Sequence, residues 1–321
     1  MNNKIKKILI TGASGNLGGL LAENLKSKNV ELNLMVHKND ISPSLKGFNN
    51  VKIFEADLAE RGTLANVLRG VDTVVHFAGV LFKYNPEKFL HITNTKYFSN
   101  LLAVAVEQDV KRVILISFPH VEGETTPENP AKGILTGRTP ISVHAITRLE
   151  EEKLLFEVCS KHDIEPIILR LGMVYGKDIL MMDAVKTFSK YRILGIWRKP
   201  VFIHLISKID FINATIAAIE NDHVNGIYHI GDEGIQTLQE FLDEITQYWG
   251  CHKPWRMPAW LILVAAQIFE IASFLFGVRS PLTKDFVKIG MVSYYGDTSR
   301  MRKELLPELK YRTFREGLET F

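Results

Sequence analysis

The sequence predicts an α/β fold: a doubly wound parallel sheet with a smaller, mixed C-terminal lobe. Three observations carry the prediction. An apolar strand runs directly into three glycines spaced three apart, Lys7-Ile-Leu-Ile-Thr11-Gly12-Ala-Ser14-Gly15-Asn16-Leu17-Gly18. Further apolar strands follow at crossover spacing, at 31–36, 51–57 and 71–77, separated by polar or helical stretches. The chain has 321 residues, 46% of them apolar and 23% charged, which is ordinary globular usage and enough for one large α/β domain carrying a lobe.

The first element defines a binding site. Ile8 to Ile10 read as a buried parallel strand, and Gly18-Gly-Leu-Leu-Ala-Glu-Asn-Leu25 continues with helical spacing, so the glycines lie on the strand-to-helix turn. Gly12 takes the tight turn, Gly15 lets backbone approach phosphates, and Gly18 lets the helix pack on the strand. The helix N-terminus then faces a dinucleotide diphosphate with its N–H groups and positive dipole end.

The next elements supply candidate contacts. An acidic residue after the second strand would bind a ribose 2′-hydroxyl, but this chain has His37-Lys38, a pair suited to a 2′-phosphate. NADP(H) is therefore the preferred cofactor, with NAD(H) as the alternative.

Charge and cysteine usage narrow the setting. With 39 basic against 36 acidic residues the net charge is only +3, which argues against a dedicated nucleic-acid binder. Cys159 and Cys251 stand in no metal or redox spacing, so we expect no metal site and a reduced, cytoplasmic setting. The apolar run behind the basic N-terminus is too short for a signal-peptide core, and secretion is not expected.

One segment, 258–277, is apolar over nearly membrane-spanning length with a single formal charge at Glu270. We read it first as a buried or cleft-lining helix. An interfacial helix and a true span are the alternatives, and Lys253, Trp255, Arg256, Trp260 and Arg279 flank it as membrane anchors would.

Several motifs in order resemble the extended short-chain dehydrogenase/reductase family. They are Thr11–Gly18, Asp57-Leu58, His76-Phe77-Ala78-Gly79, Asn94, Lys111–Ser117, Leu169–Gly176 and Ile209-Asp210, with Tyr294–Arg300 and Thr313–Leu318 near the end. The last two resemble the branch of nucleotide-sugar epimerases, dihydroflavonol reductases and 3β-hydroxysteroid dehydrogenases. The resemblance implies a Rossmann-type domain over 1–175, with return segments at about 206–232 and a substrate lobe over most of 176–321. It also implies cofactor contacts from Gly12, Ser14, Gly15, Asn16, Leu17, Gly18, His37, Lys38, Asp57, Leu58, Phe77, Ala78, Gly79 and Asn94. Asp57 would accept from the adenine amino group while Leu58 packs on the ring.

The family's catalytic Tyr-x-x-x-Lys pair and Ser are replaced. Where the pair should stand, the chain has Pro140-Ile-Ser-Val-His144-Ala-Ile-Thr147-Arg148, so His144 and Arg148 are the candidate catalytic groups. Imidazole titrates near ~6.5 and can exchange a proton at neutral pH. Arg148 would keep the ribose contact. Ser117 is the candidate serine, although counting back from Gly123 puts the family position at Phe118. Tyr84-Asn-Pro-Glu-Lys88 has the right spacing in the wrong place, with Pro86 inside it, and we assign Tyr84 to a substrate loop at best.

Three functions follow. The first is an atypical oxidoreductase on a hydrophobic ketone or alcohol. The second is a nucleotide-sugar epimerase or dehydratase using Arg192, Arg198 and Lys199, and the third a non-catalytic NADP(H)-binding sensor or assembly factor. Expected partners are a small hydrophobic substrate and no nucleic acid, with a homodimer and a peripheral membrane contact through 258–277 left open.

Overall fold

A computed structural model describes residues 5–80, 83–135, 140–276, 280 and 282–321. Its core is a seven-stranded parallel sheet of order β3-β2-β1-β4-β5-β6-β11. The first half of the chain supplies β1 (Lys7–Thr11), α1 (Asn16–Leu25), β2 (Glu31–Val36), β3 (Val51–Glu55), α2 (Arg61–Leu68) and β4 (Thr73–His76). A six-residue π-helical turn, His91–Lys96, then leads into α3 (Tyr97–Glu107), followed by β5 (Arg112–Ser117), α4 (Val143–Cys159) and β6 (Glu165–Leu171).

The continuous apolar strands are explained by helices on both faces. Along β1, Ile8 and Ile10 join one core with Leu21, Ala22 and Leu25 of α1, while Leu9 joins another with residues of α2, α3 and α4. That alternation is the period-2 geometry of a strand, buried on both sides. Strand order reverses at β1, whose neighbours are β2 and β4, and this switch point opens a crevice at the strands' C-terminal ends.

The rest of the chain runs through β7 (Met173–Tyr175), α5 (Leu180–Lys190), β8 (Gly195–Trp197), β9 (Phe202–Ile203), β10 (Leu205–Ser207) and α6 (Lys208–Glu220). It then adds β11 (Gly226–Ile230) to the sheet beside β6. The remaining elements are β12 (Gln236–Thr237), α7 (Leu238–Tyr248), β13 (Trp255–Met257), α8 (Ala259–Phe276), α9 (Lys284–Gly290) and α10 (Ser299–Glu304). A capping box, Thr237 with Glu240, starts α7.

The 258–277 segment corrects an expectation. It forms α8, but the helix is not buried: only Ile262, Ala266, Glu270 and Ser273 are, while Trp260, Ile268 and Leu275 are 62%, 61% and 71% exposed. The reason is the inner stripe, which is too narrow to cover a helix apolar on all sides. Gly277 and Arg279 lie outside the described residues.

Candidate active site

The glycine turn has the geometry that its composition requires. Gly12 has a φ of +69°, and a Cβ there would lie 3.0 Å from the Ala78 nitrogen. A Cβ on Gly18 would lie 2.5 Å from the Gly12 carbonyl oxygen, so the helix could not sit where it does. Gly15 donates to that same oxygen at 2.8 Å and is the exposed N-cap of α1. No side chain caps this end and no acidic residue stands in the first turn, so the opening N–H groups fit a diphosphate.

The neighbours of the turn are ordered. Thr11 Oγ1 and His76 Nδ1 are hydrogen-bonded at 2.8 Å, and the Ala78 N–H donates to the same hydroxyl at 3.3 Å. Burial, with a smaller repulsion from Arg148, pulls His76 down to about 3 and keeps it neutral. Asn16 donates to the Asp178 carbonyl at 2.7 Å and accepts from Leu180 N–H at 3.1 Å, holding the start of α5 against the turn. Ser14 is half-buried and Leu17 packs on the core.

At the adenosine end, His37 Nε2 lies 3.3 Å from Asp57 Oδ2, and Lys38 is exposed. Asp57 Oδ1 accepts the Ala59 N–H at 2.8 Å, leaving the other oxygen toward His37. Leu58 is half-buried beside Asn100, which donates to the Leu58 carbonyl at 2.9 Å. Phe77, Ala78 and Gly79 follow directly on β4 without regular structure.

Helix α4 brings the second set of groups to this crevice. Ser142 caps it, accepting the Ala145 N–H at 3.1 Å. His144 and Arg148 follow one turn apart on the same face. Arg148 packs against the segment after β4 so closely that a Cβ on Gly79 would lie 2.5 Å from its Nη2. It donates to Glu151 at 2.7 Å, and that carboxyl is fully buried. Burial pushes Glu151 up to about 7 against the pull of the guanidinium.

His144 has a partner that sequence reading missed. Its Nδ1 is hydrogen-bonded to Asp285 Oδ2 on α9, and its Nε2 is buried with no hydrogen-bond partner among the described residues. A carboxylate on Nδ1 selects the tautomer with the proton there and leaves the lone pair at Nε2. The two residues are 141 positions apart, so no spacing rule connects them.

Two expected contacts prove indirect. Ser117, expected among the catalytic groups, is 3% exposed and donates to Glu152 Oε1 at 2.6 Å. Its hydroxyl is committed to a buried charge cluster: Glu152 is paired with Arg170 Nη2 at 2.6 Å, and Arg170 Nη1 also pairs with Glu122. His229 Nε2 meets Glu122 at 3.0 Å, and the Lys132 and Gly133 N–H groups donate to it. Burial alone would raise Glu122, but the bonds from His229 and the Arg170 charge hold it at about 2. Phe118, at the family's serine position, carries no hydroxyl and lies 5.0 Å from the His120 ring.

Asn94, expected at the cofactor, is also buried and donates to Thr147 Oγ1 at 3.0 Å. It ties the π-helical turn to α4 and so positions His144 and Arg148. Tyr84 lies in a loop whose ring meets Phe274 of α8 at 5.5 Å. Among the described residues no cluster of His, Cys, Asp or Glu could hold a metal.

The model of the NAD dependent epimerase/dehydratase family matches residues 8–231. The chain belongs to this family. Its match to uronate dehydrogenase of Pseudomonas putida is 28% identical over 167 residues, 52% of this chain and 60% of that enzyme. The human sterol-4-alpha-carboxylate 3-dehydrogenase, decarboxylating, is 28% identical over 154 residues, 47% of this chain and 39% of the relative. Among solved structures, UDP-glucuronic acid 4-epimerase from Bacillus cereus with UDP-glucuronic acid and NAD has a TM-score of 0.76 at 18% identity. That likeness covers 98% of this chain and 97% of the epimerase, and it concerns the fold. The matched span contains both the glycine turn and α4.

Proposed function

We propose that the protein is an NAD(P)(H)-dependent oxidoreductase acting on a hydrophobic ketone or alcohol, with His144 as proton donor and acceptor. The observation that carries this reading is the His144–Asp285 pair. One imidazole nitrogen is held by a carboxylate, the other is buried with no partner among the described residues, and both stand one helical turn from an arginine packed on the segment after β4. The bound nicotinamide supplies or accepts the hydride. His144 Nε2 takes the proton of a substrate hydroxyl during oxidation and returns it to the carbonyl oxygen during reduction. Asp285 stabilises the imidazolium that forms and fixes the ring's orientation. Arg148, hydrogen-bonded to Glu151, holds the ribose side of the crevice.

We assign the cofactor as NADP(H), on His37 and Lys38 at the end of β2. Protonated His37 bridging Asp57 to a 2′-phosphate would add a charge-assisted contact, and exposed Lys38 a second. Competitive binding of the two cofactors tests this, and tighter NADH binding overturns it.

A panel of hydrophobic ketones and alcohols, with uronates and UDP-sugars because relatives act on them by name, tests the reaction through nicotinamide absorbance. Turnover that disappears in His144→Ala while cofactor affinity persists supports the assignment. Unchanged turnover in that variant sinks the mechanism. Epimerised UDP-sugar found by chromatography, with no net change in nicotinamide absorbance because the hydride is returned to the sugar, would restore the epimerase reading, although Arg192, Arg198 and Lys199 are all exposed on the lobe surface.

A further inference from the structure

Helix α8 is amphipathic in the reverse of the usual sense. Its outer face, stepping by three and four residues, is Trp260, Val264, Ile268, Ile271 and Leu275, which are 62%, 49%, 61%, 47% and 71% exposed. Its inner face, stepping the same way, is Ile262, Ala266, Glu270 and Ser273, all buried. The helix's one carboxylate thus points inward, where it accepts the Lys284 N–H at 2.9 Å, and Ser273 donates to the Glu270 carbonyl at 2.8 Å. A surface helix in water places charge outside and apolar groups inside. Here the polar groups are satisfied within the fold and the side meant for solvent offers only hydrocarbon and an indole.

The patch continues at both ends. At the C-terminal end, Phe274 and Phe276 are 68% and 78% exposed, and Phe274 meets Tyr84. Before the N-terminal end, exposed Trp255 donates through Nε1 to the Arg192 carbonyl at 2.9 Å, gathering Lys190, Tyr191, Arg192 and Ile193 beside it. Exposed Lys253 lies 3.9 Å from Asp243 Oδ2, and Arg256 pairs with the other oxygen of that carboxylate at 2.9 Å. An aromatic and basic collar beside an uninterrupted apolar face matches the headgroup layer and acyl boundary of a bilayer. A protein interface of that size would carry about one hydrogen bond per 100–200 Å² to set its register, and this face has almost no groups to make them.

We propose that the outer face of α8 seats in the interfacial layer of an anionic bilayer, with the helix lying in the membrane plane. A span is excluded by the inner stripe, since inserting the helix across the bilayer would tear Glu270 from α9. The docked face is also close to the chemistry. Glu270 holds Lys284, and the next residue, Asp285, holds His144, so a lipid-dissolved substrate would meet the crevice from the membrane side. The docking itself stands on exposure and polarity, independently of the proposed reaction.

Flotation of the full chain with vesicles tests it, using phosphatidylcholine alone and phosphatidylcholine mixed with phosphatidylglycerol. The chain is expected to float with the mixed vesicles, with a blue shift in tryptophan emission, and to bind the neutral ones more weakly. Trp260→Gln/Ile268→Gln/Leu275→Gln should weaken partitioning more than ~100-fold while leaving cofactor affinity unchanged, which shows that the variant is folded. Lys190→Gln and Lys253→Gln should each cost about fivefold, on anionic vesicles only. No flotation of the wild-type chain, or equal flotation of the triple variant, overturns the proposal. A dimer by light scattering that the triple variant dissolves also overturns it, because a second copy would then cover the face.

Discussion

The glycine turn after β1 and the His144 corner of α4 border the same crevice, yet they are built on opposite principles. In the turn, twelve neighbouring residues do the work with backbone: a positive φ at Gly12, a close approach at Gly18 and unspent N–H groups at the start of α1. In the corner, side chains from distant segments do it. Asp285 reaches His144 from α9, Arg148 of α4 leans on Gly79 beyond the end of β4, and Asn94 braces Thr147 from the turn before α3. Under the proposed function, binding is a local property and chemistry an assembled one, so the two should fail separately.

The sharpest way to separate them is Asp285→Asn. It keeps the shape but no longer stabilises the imidazolium, and kcat should fall ~10²- to 10⁴-fold with cofactor affinity intact. Asp285→Glu should recover part of the loss, and the pH profile of kcat should shift in the Asn variant. A parallel fall in cofactor affinity would break the comparison, since the corner would then be part of the binding site.

Below the corner, Arg170→Met would strand Glu152 and Glu122 without their guanidinium. Urea unfolding should show a loss of ~3–5 kcal/mol, the cost of leaving buried charge uncompensated. A loss near zero would mean that the cluster is wetter than its burial indicates.

On the other side of the comparison, Gly18→Ala should strain the strand-to-helix turn by ~1–3 kcal/mol and weaken cofactor binding ~5- to 100-fold, with kcat at saturating cofactor little changed. Calorimetry with NADPH and NADH reads this directly.

The smallest effect is confined to acid. Glu122 sits at about 2 when folded against a usual 4.5, so its stabilisation is complete above about pH 4.5 and is lost as pH falls toward 2. Glu122→Gln should flatten the acid limb of stability in that window, as followed by urea melts at stepped pH. A limb of unchanged steepness would assign acid unfolding to other carboxylates.

Legibility followed the same division. The strands at 31–36 and 73–76 were readable from apolar runs, because a strand covered on both faces cannot hide its composition, whereas 226–230 was expected only as part of the return segment that the resemblance implies. Ser117 was readable as a strand end but not as a donor to Glu152, since its partner lies 35 residues away on a helix. The apolar segment 258–277 was readable as a helix, while its direction of exposure was not. Glu270 looks costly in an apolar run, and only α9 shows that it faces inward to Lys284.

By itself the sequence determined the doubly wound sheet, the glycine turn and the replacement of the expected Tyr and Lys by His144 and Arg148. These follow from periodicity, steric demands on glycine and motif order, all of which act between near neighbours. Tertiary structure alone decided that Asp285 holds His144, that Ser117 serves Glu152, and that α8 turns its hydrocarbon outward. The first two depend on surfaces that pack across more than thirty residues of intervening chain, and the third on α9 folding back against α8, so none of them leaves a spacing to read.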